Sequence, residues 1–101
     1  MKIKYIATTK EYRDKVHGNS YFSSNIEDIK NDKNYILPFQ YGYGTQSEHE
    51  VKKIIKSFDK KVSWDNIKFI KINRCLKKEV VEHGKGIEEN YNNNLGYYYQ
   101  D

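Results

Sequence analysis

Val51, Ile54, Ile55 and Phe58 recur at i, i+3, i+4 and i+7, so one stretch of this chain is committed to a helix with a single apolar stripe. Lys52, Lys53, Lys56 and Lys60 fall on its other side. Ser47 stands three positions before Glu50, the spacing of a capping box, in which hydroxyl and carboxylate each satisfy an unpaired amide. The helix is therefore predicted to begin at Ser47. A lone stripe of this width needs a flat partner, and the remaining apolar segments have the period of strands rather than of further long helices.

Residues 2–8 alternate Ile3, Tyr5 and Ala7 against Lys2, Lys4 and Thr8, with Ile6 as the one apolar residue on the second face. Residues 10–19 are charged and end in the turn composition His17-Gly18-Asn19. A second strand is predicted over 20–29, and Asn31-Asp32-Lys33-Asn34 suits a hairpin turn because Asn and Asp tolerate left-handed backbone. Tyr35, Leu37, Phe39 and Tyr41 are placed on one face of a third strand. Pro38 has no amide hydrogen, which puts that strand at an edge or requires a bulge. A fourth strand is predicted over 67–75, where Ile70 and Ile72 alternate with Phe69 and Lys71; apolar groups on both sides of its first half point to a more central position than the third. A short helix over 77–83, closed by Gly84, completes the reading.

The expected fold is α+β: a small antiparallel or mixed sheet in the order β-β-β-α-β, with a short second helix and one amphipathic helix packed on the sheet. Ten Tyr, four Phe and one Trp against a single Ala, with mean hydropathy −1.00, agree with strands and flat aromatic surfaces rather than a helical bundle. Residues 1–84 are expected to form one domain. Residues 85–101 offer only Ile87 and Leu95 as aliphatic anchors and are expected to be a mobile Asn/Tyr-rich tail.

No apolar run approaches the roughly 18 residues of a membrane span, and no signal peptide is evident, so a soluble cytoplasmic protein is expected. Cys75 is the single cysteine and cannot form an internal disulfide. His17, His49 and His83 share no metal-ligand spacing with each other or with Cys75, so neither metal nor cofactor is expected, and no spacing matches a catalytic motif. A non-catalytic role follows as the expectation.

The strongest candidate surface is the segment Tyr41-Gly42-Tyr43-Gly44-Thr45-Gln46-Ser47, which joins an aromatic strand to a helix start. Tyr41 and Tyr43 on either side of Gly42 could form a slot for a nucleobase, while the amides of Gly44 to Ser47 meet a phosphate. Asn19, Tyr21 and Gln40 could read polar edges, and a second copy of the chain could complete the pocket as a homodimer. Glu48 and Glu50 oppose a phosphate at the same amides. The same loop could instead dock on a partner protein. An alternative surface joins Lys52, Lys53, Lys56 and Lys60 to Arg74, Lys77 and Lys78 as a nucleic-acid contact. It lies in the most basic part of the chain, since residues 1–46, 47–86 and 87–101 carry +2, +5 and −3.

The segments Gly18-Asn19-Ser20-Tyr21-Phe22-Ser23 and Pro38-Phe39-Gln40-Tyr41-Gly42-Tyr43-Gly44 resemble two motifs that recur together in short uncharacterised accessory proteins of bacteriophages and prophages. The similarity covers about residues 3 to 58. That group has no settled activity, so the resemblance implies a phage genomic context rather than a chemistry. Because small phage accessory proteins commonly act by binding, blocking a host defence protein or sequestering a small nucleotide signal, a counter-defence role is the expectation. The tail from residue 85 departs from the shorter forms of that pattern.

Overall fold

Tyr5, Ala7 and Thr9 are buried while their neighbours are partly exposed, and this alternation carries the first strand well past Thr8, so that β1 spans Tyr5–Asp14. The computed structural model describes residues 2–100. After a turn in which Gly18 takes φ 70°, the chain returns as β2, Asn19–Asp28. Buried Asp28 accepts from the backbone and side-chain amides of Asn31 at 3.2 and 2.9 Å, and Asp32 supplies a left-handed residue at φ 53°. β3, Lys33–Tyr41, leaves this turn. Then follow α1 (Gln46–Lys56), a 3₁₀ turn (Trp64–Asn66), β4 (Ile67–Ile72), α2 (Lys77–His83), a second 3₁₀ turn (Glu88–Asn90), β5 (Tyr91–Asn92) and β6 (Tyr97–Gln100).

The fold is α+β, with a mixed six-stranded sheet in the order β4-β1-β2-β3-β6-β5. β4 lies parallel to β1, which the crossover through α1 makes possible, and the other neighbours pair antiparallel. On one face Tyr5, Ala7, Phe22, Ile26, Leu37, Ile67 and Tyr97 pack with Val51, Ile54 and Ile55 of α1. Each of those helix side chains contributes about 1.5–3 kcal/mol by leaving water. Phe58, just past the helix, stacks on Tyr35 at 4.7 Å rather than joining the fully buried set.

The capping box does not form. The helix has already begun at Gln46, after Thr45, and no side chain caps it. Ser47 is buried at the head of the Val51, Ile54, Ile55 stripe, so it faces the sheet rather than the orphan amides.

Pro38 is accommodated by a bulge inside the sheet. Phe22 pairs with Gln40 and Ser24 with Leu37, so Pro38 and Phe39 together oppose Ser23. The extra residue reverses the alternation: Tyr35 and Leu37 face α1, whereas Phe39 and Tyr41 face the other way, and the four do not share a face. β3 is interior, between β2 and β6, while β4 is an edge strand, with Ile70 and Ile72 exposed. This inverts the expected positions, because β4 has only β1 as a neighbour.

α2 covers the opposite face. Ser23 Oγ donates to the Val80 carbonyl at 2.6 Å, and Val80 is fully buried. His83 Nε2 donates to the Thr8 carbonyl at 2.9 Å. Burial holds the His83 imidazole below the ordinary histidine value; the bond to Thr8 opposes this shift and nearby Lys10 adds to it. The unfolded chain therefore binds the proton more readily. The stability His83 contributes is complete above about pH 6.5 and is lost as pH falls through its lower folded value. The urea midpoint should fall between about pH 7.5 and about pH 5, and His83→Gln, which can still donate to Thr8, should flatten that profile.

The sheet also runs through the segment expected to be a tail. β6 pairs with β3, β5 pairs with β6, and Tyr97 belongs to the core facing α1. A domain ending at residue 84 would omit both strands.

Candidate functional site

By turning Phe39 and Tyr41 away from α1, the bulge aligns them with Tyr12 and Tyr21, which pair across β1 and β2. Tyr12 stacks on Tyr21 at 6.2 Å and 24°, and Tyr21 on Phe39 at 5.1 Å and 9°. Tyr41 meets Tyr21 edge to face at 5.8 Å, and Tyr43 meets Tyr41 in the same manner at 5.1 Å. A row of five rings thus crosses three strands and runs into the glycine loop.

The loop is tied on several sides. The Gly42 amide donates to the Ser20 carbonyl at 3.0 Å, and a Cβ on Gly42 would stand 2.5 Å from the Phe22 ring, so only glycine passes there. Gly44 takes φ 55°, and its carbonyl accepts from Lys71 Nζ at 3.0 Å. Tyr43 OH donates to the Gly18 carbonyl at 3.2 Å, with Asn19 Oδ1 an alternative acceptor at 3.4 Å. Tyr41 and Tyr43 remain 50% and 48% exposed.

Of the residues singled out in the sequence, Asn19, Tyr21, Tyr41, Gly42 and Tyr43 come together here. The slot does not exist: at 5.1 Å and 83° the two tyrosine rings contact each other and leave no space for a base between them. Gln40 lies on the α1 side opposite Phe22, and its amide donates to the Pro38 carbonyl, so it does not join the tyrosines. The Gln46 amide is already used on the Tyr43 carbonyl, and those of Glu48 and His49 on Thr45, which weakens a phosphate cradle from Gly44 to Ser47.

The basic surface is divided. Lys52, Lys53 and Lys56 sit on α1, with Lys60 just beyond it, whereas Lys77 and Lys78 sit on α2, across the sheet, and Arg74 leads into α2. Lys52 Nζ also lies 4.4 Å above the Trp64 ring, so part of its charge is engaged locally. The sheet separates what the sequence grouped.

His17 pairs with Asp14 at 2.9 Å, His49 meets Trp64 edge to face, and His83 rests on β1. Cys75 is buried, its thiol 3.4 Å from the Ile72 carbonyl. Among the described residues no group of three His, Cys, Asp or Glu side chains gathers as a metal site, and no helix is long and apolar enough to cross a membrane.

Two open cavities lie away from the glycine loop. One, about 710 Å³, sits at the start of β1 and the end of β2, lined by Lys4, Tyr5, Asp28, Lys30, Phe58 and Asp59 among others. There Tyr5 OH donates to Asp59 at 2.9 Å, and burial together with that carboxylate holds its hydroxyl far above the usual tyrosine value. The other, about 650 Å³, lies beside Tyr12 at the far end of β1, with Arg13, Lys15, Arg74, Cys75 and Leu76 in its lining. Neither was legible in the sequence, since each joins segments that only the sheet brings together.

Compared with known families, curated proteins and solved structures, the chain has no match.

Proposed function

We propose that the chain is a non-catalytic binding protein that docks on a partner protein through the exposed pair Tyr41 and Tyr43. In the setting implied by the phage resemblance, that partner is a host defence protein. The observation that carries this reading is a pair of half-exposed rings already fixed against each other and tethered to the turn at Gly18 and Asn19. Rigid tyrosines bring large contact area with little ordering cost, and such residues dominate binding energy at protein interfaces. The closed contact between the rings favours docking over capture of a base between them.

The test is affinity capture from a bacterial host extract with the wild-type chain and with the Tyr41→Ala/Tyr43→Ala variant, followed by titration with the purified captured protein. The double substitution should weaken that complex by at least about 2 kcal/mol, roughly 30-fold, while the circular dichroism spectrum is retained. A folded double variant that holds the same protein with unchanged affinity removes the tyrosine pair from any interface.

A further inference from the structure

β4 covers the outer edge of β1 only as far as the pair Lys10↔Ile72, so the last residues of β1, from Glu11 onward, project beyond it. The chain leaves β4 and passes this uncovered edge as residues 73–76, anchored where the Cys75 amide donates to the Glu11 carbonyl at 3.0 Å. The notch between them is the cavity of about 650 Å³, within the size range of small-molecule sites. It abuts the aromatic row. Strand order puts Tyr12, Tyr21 and Phe39 side by side, and Tyr12 is the terminal ring, stacked on one side by Tyr21. Its other side is the side of the notch.

We propose that this notch is a nucleotide site, in which a base stacks on Tyr12 as the next member of the column and the phosphate is held by Lys15 and Arg74. The column is already assembled, so the stacking surface needs no rearrangement. The charge is one-sided: Glu11, the acidic side chain in the lining, is paired with Lys71 at 3.3 Å, while Lys15 and Arg74 are basic members of the lining with Arg13 next to them on β1. Arg74 adds a second observation. It takes φ 62°, a conformation that favours glycine, yet carries a guanidinium there, and strain of this kind concentrates at ligand sites. Guanidinium groups suit phosphate, and rings such as Tyr12 suit any base. The chemistry is shared by free nucleotides and by nucleotide units of a single strand. The site is separate from the Tyr41 and Tyr43 surface and does not depend on the docking reading.

Isothermal titration calorimetry with the four ribonucleoside monophosphates and with a single-stranded oligothymidylate tests this on the full chain. At least one of these probes should bind. Arg74→Gly keeps a backbone suited to the left-handed conformation, so it should keep its thermal midpoint yet weaken binding by about tenfold or more. Lys15→Glu, in an exposed turn, should weaken it in the same direction, and Tyr12→Leu by at least about fivefold. The Tyr41→Ala/Tyr43→Ala variant should bind these probes as the wild type does. Tighter binding of the oligonucleotide identifies a strand as the source and equal affinity identifies a free nucleotide; either supports the site. Absence of binding to every probe at millimolar concentration, or affinity unchanged in both Arg74→Gly and Lys15→Glu, overturns the proposal.

Discussion

Replacement of Gly84 by alanine should lower the unfolding free energy by about 2–4 kcal/mol, measured as a fall in the urea midpoint with little change in slope. A Cβ at this position would lie 2.7 Å from the Phe39 amide nitrogen, 2.8 Å from Ser23 Cβ and 3.1 Å from the Pro38 carbonyl carbon. Two of those atoms are backbone, and Ser23 is pinned by its bond to Val80, so no flexible side chain can yield. Gly84 has φ −95°, which alanine adopts freely, so the cost is steric rather than conformational. The sign of the effect is therefore informative. A glycine that only ended α2 would be neutral or stabilising on replacement, by about 0.4–1 kcal/mol, through the unfolded chain. An alanine variant as stable as the wild type would show that α2 does not seat in the β3 bulge.

Ending the chain after Asn90 should abolish cooperative unfolding. The truncation removes β5 and β6, and with them Tyr97, 7% exposed and in edge-to-face contact with Tyr35 at 5.7 Å. Loss of a buried aromatic side chain alone costs about 3–5 kcal/mol. The β3 partners of Tyr98, Tyr99 and Gln100 lose their pairing as well, and Gly86, which fits closely beneath the Tyr98 ring, loses its cover. Against a total stability of about 5–15 kcal/mol for a domain of this kind, the remainder is not expected to hold the fold. The check is thermal unfolding of the truncated chain followed by circular dichroism. A sharp transition at the wild-type midpoint would restore the view of residues 85–101 as a dispensable appendage.

The sequence was most legible where structure is local. The stripe of Val51, Ile54 and Ile55 fixed α1, Asn31 and Asp32 marked the second turn, and residues 77–83 formed the short helix expected of them. It was least legible where one residue's consequence is passed along a strand or across the sheet. Pro38 announced an edge or a bulge, but which of the two, and therefore where Phe39 and Tyr41 point, depended on the pairing with Ser23. The same holds for β6, whose tyrosines become a strand only against the free side of β3. The exposure of Tyr41 and Tyr43 followed from the glycines between and after them; their mutual contact did not. Arg74 was grouped with the helix lysines because separation along the chain stood in for separation in space, whereas parallel pairing of β1 with β4 brings it beside Arg13 and Lys15.

The two rims of the sheet are unlike each other, and each bears on how copies of the chain meet. On one side β5 is only two residues long, too short to template a further strand. On the other, β4 carries Lys68 as a charged residue, while Lys71 is paired with Glu11. The short rim therefore discourages strand addition, whereas the β4 rim, with Ile70 and Ile72 exposed, is the one a further strand could reach.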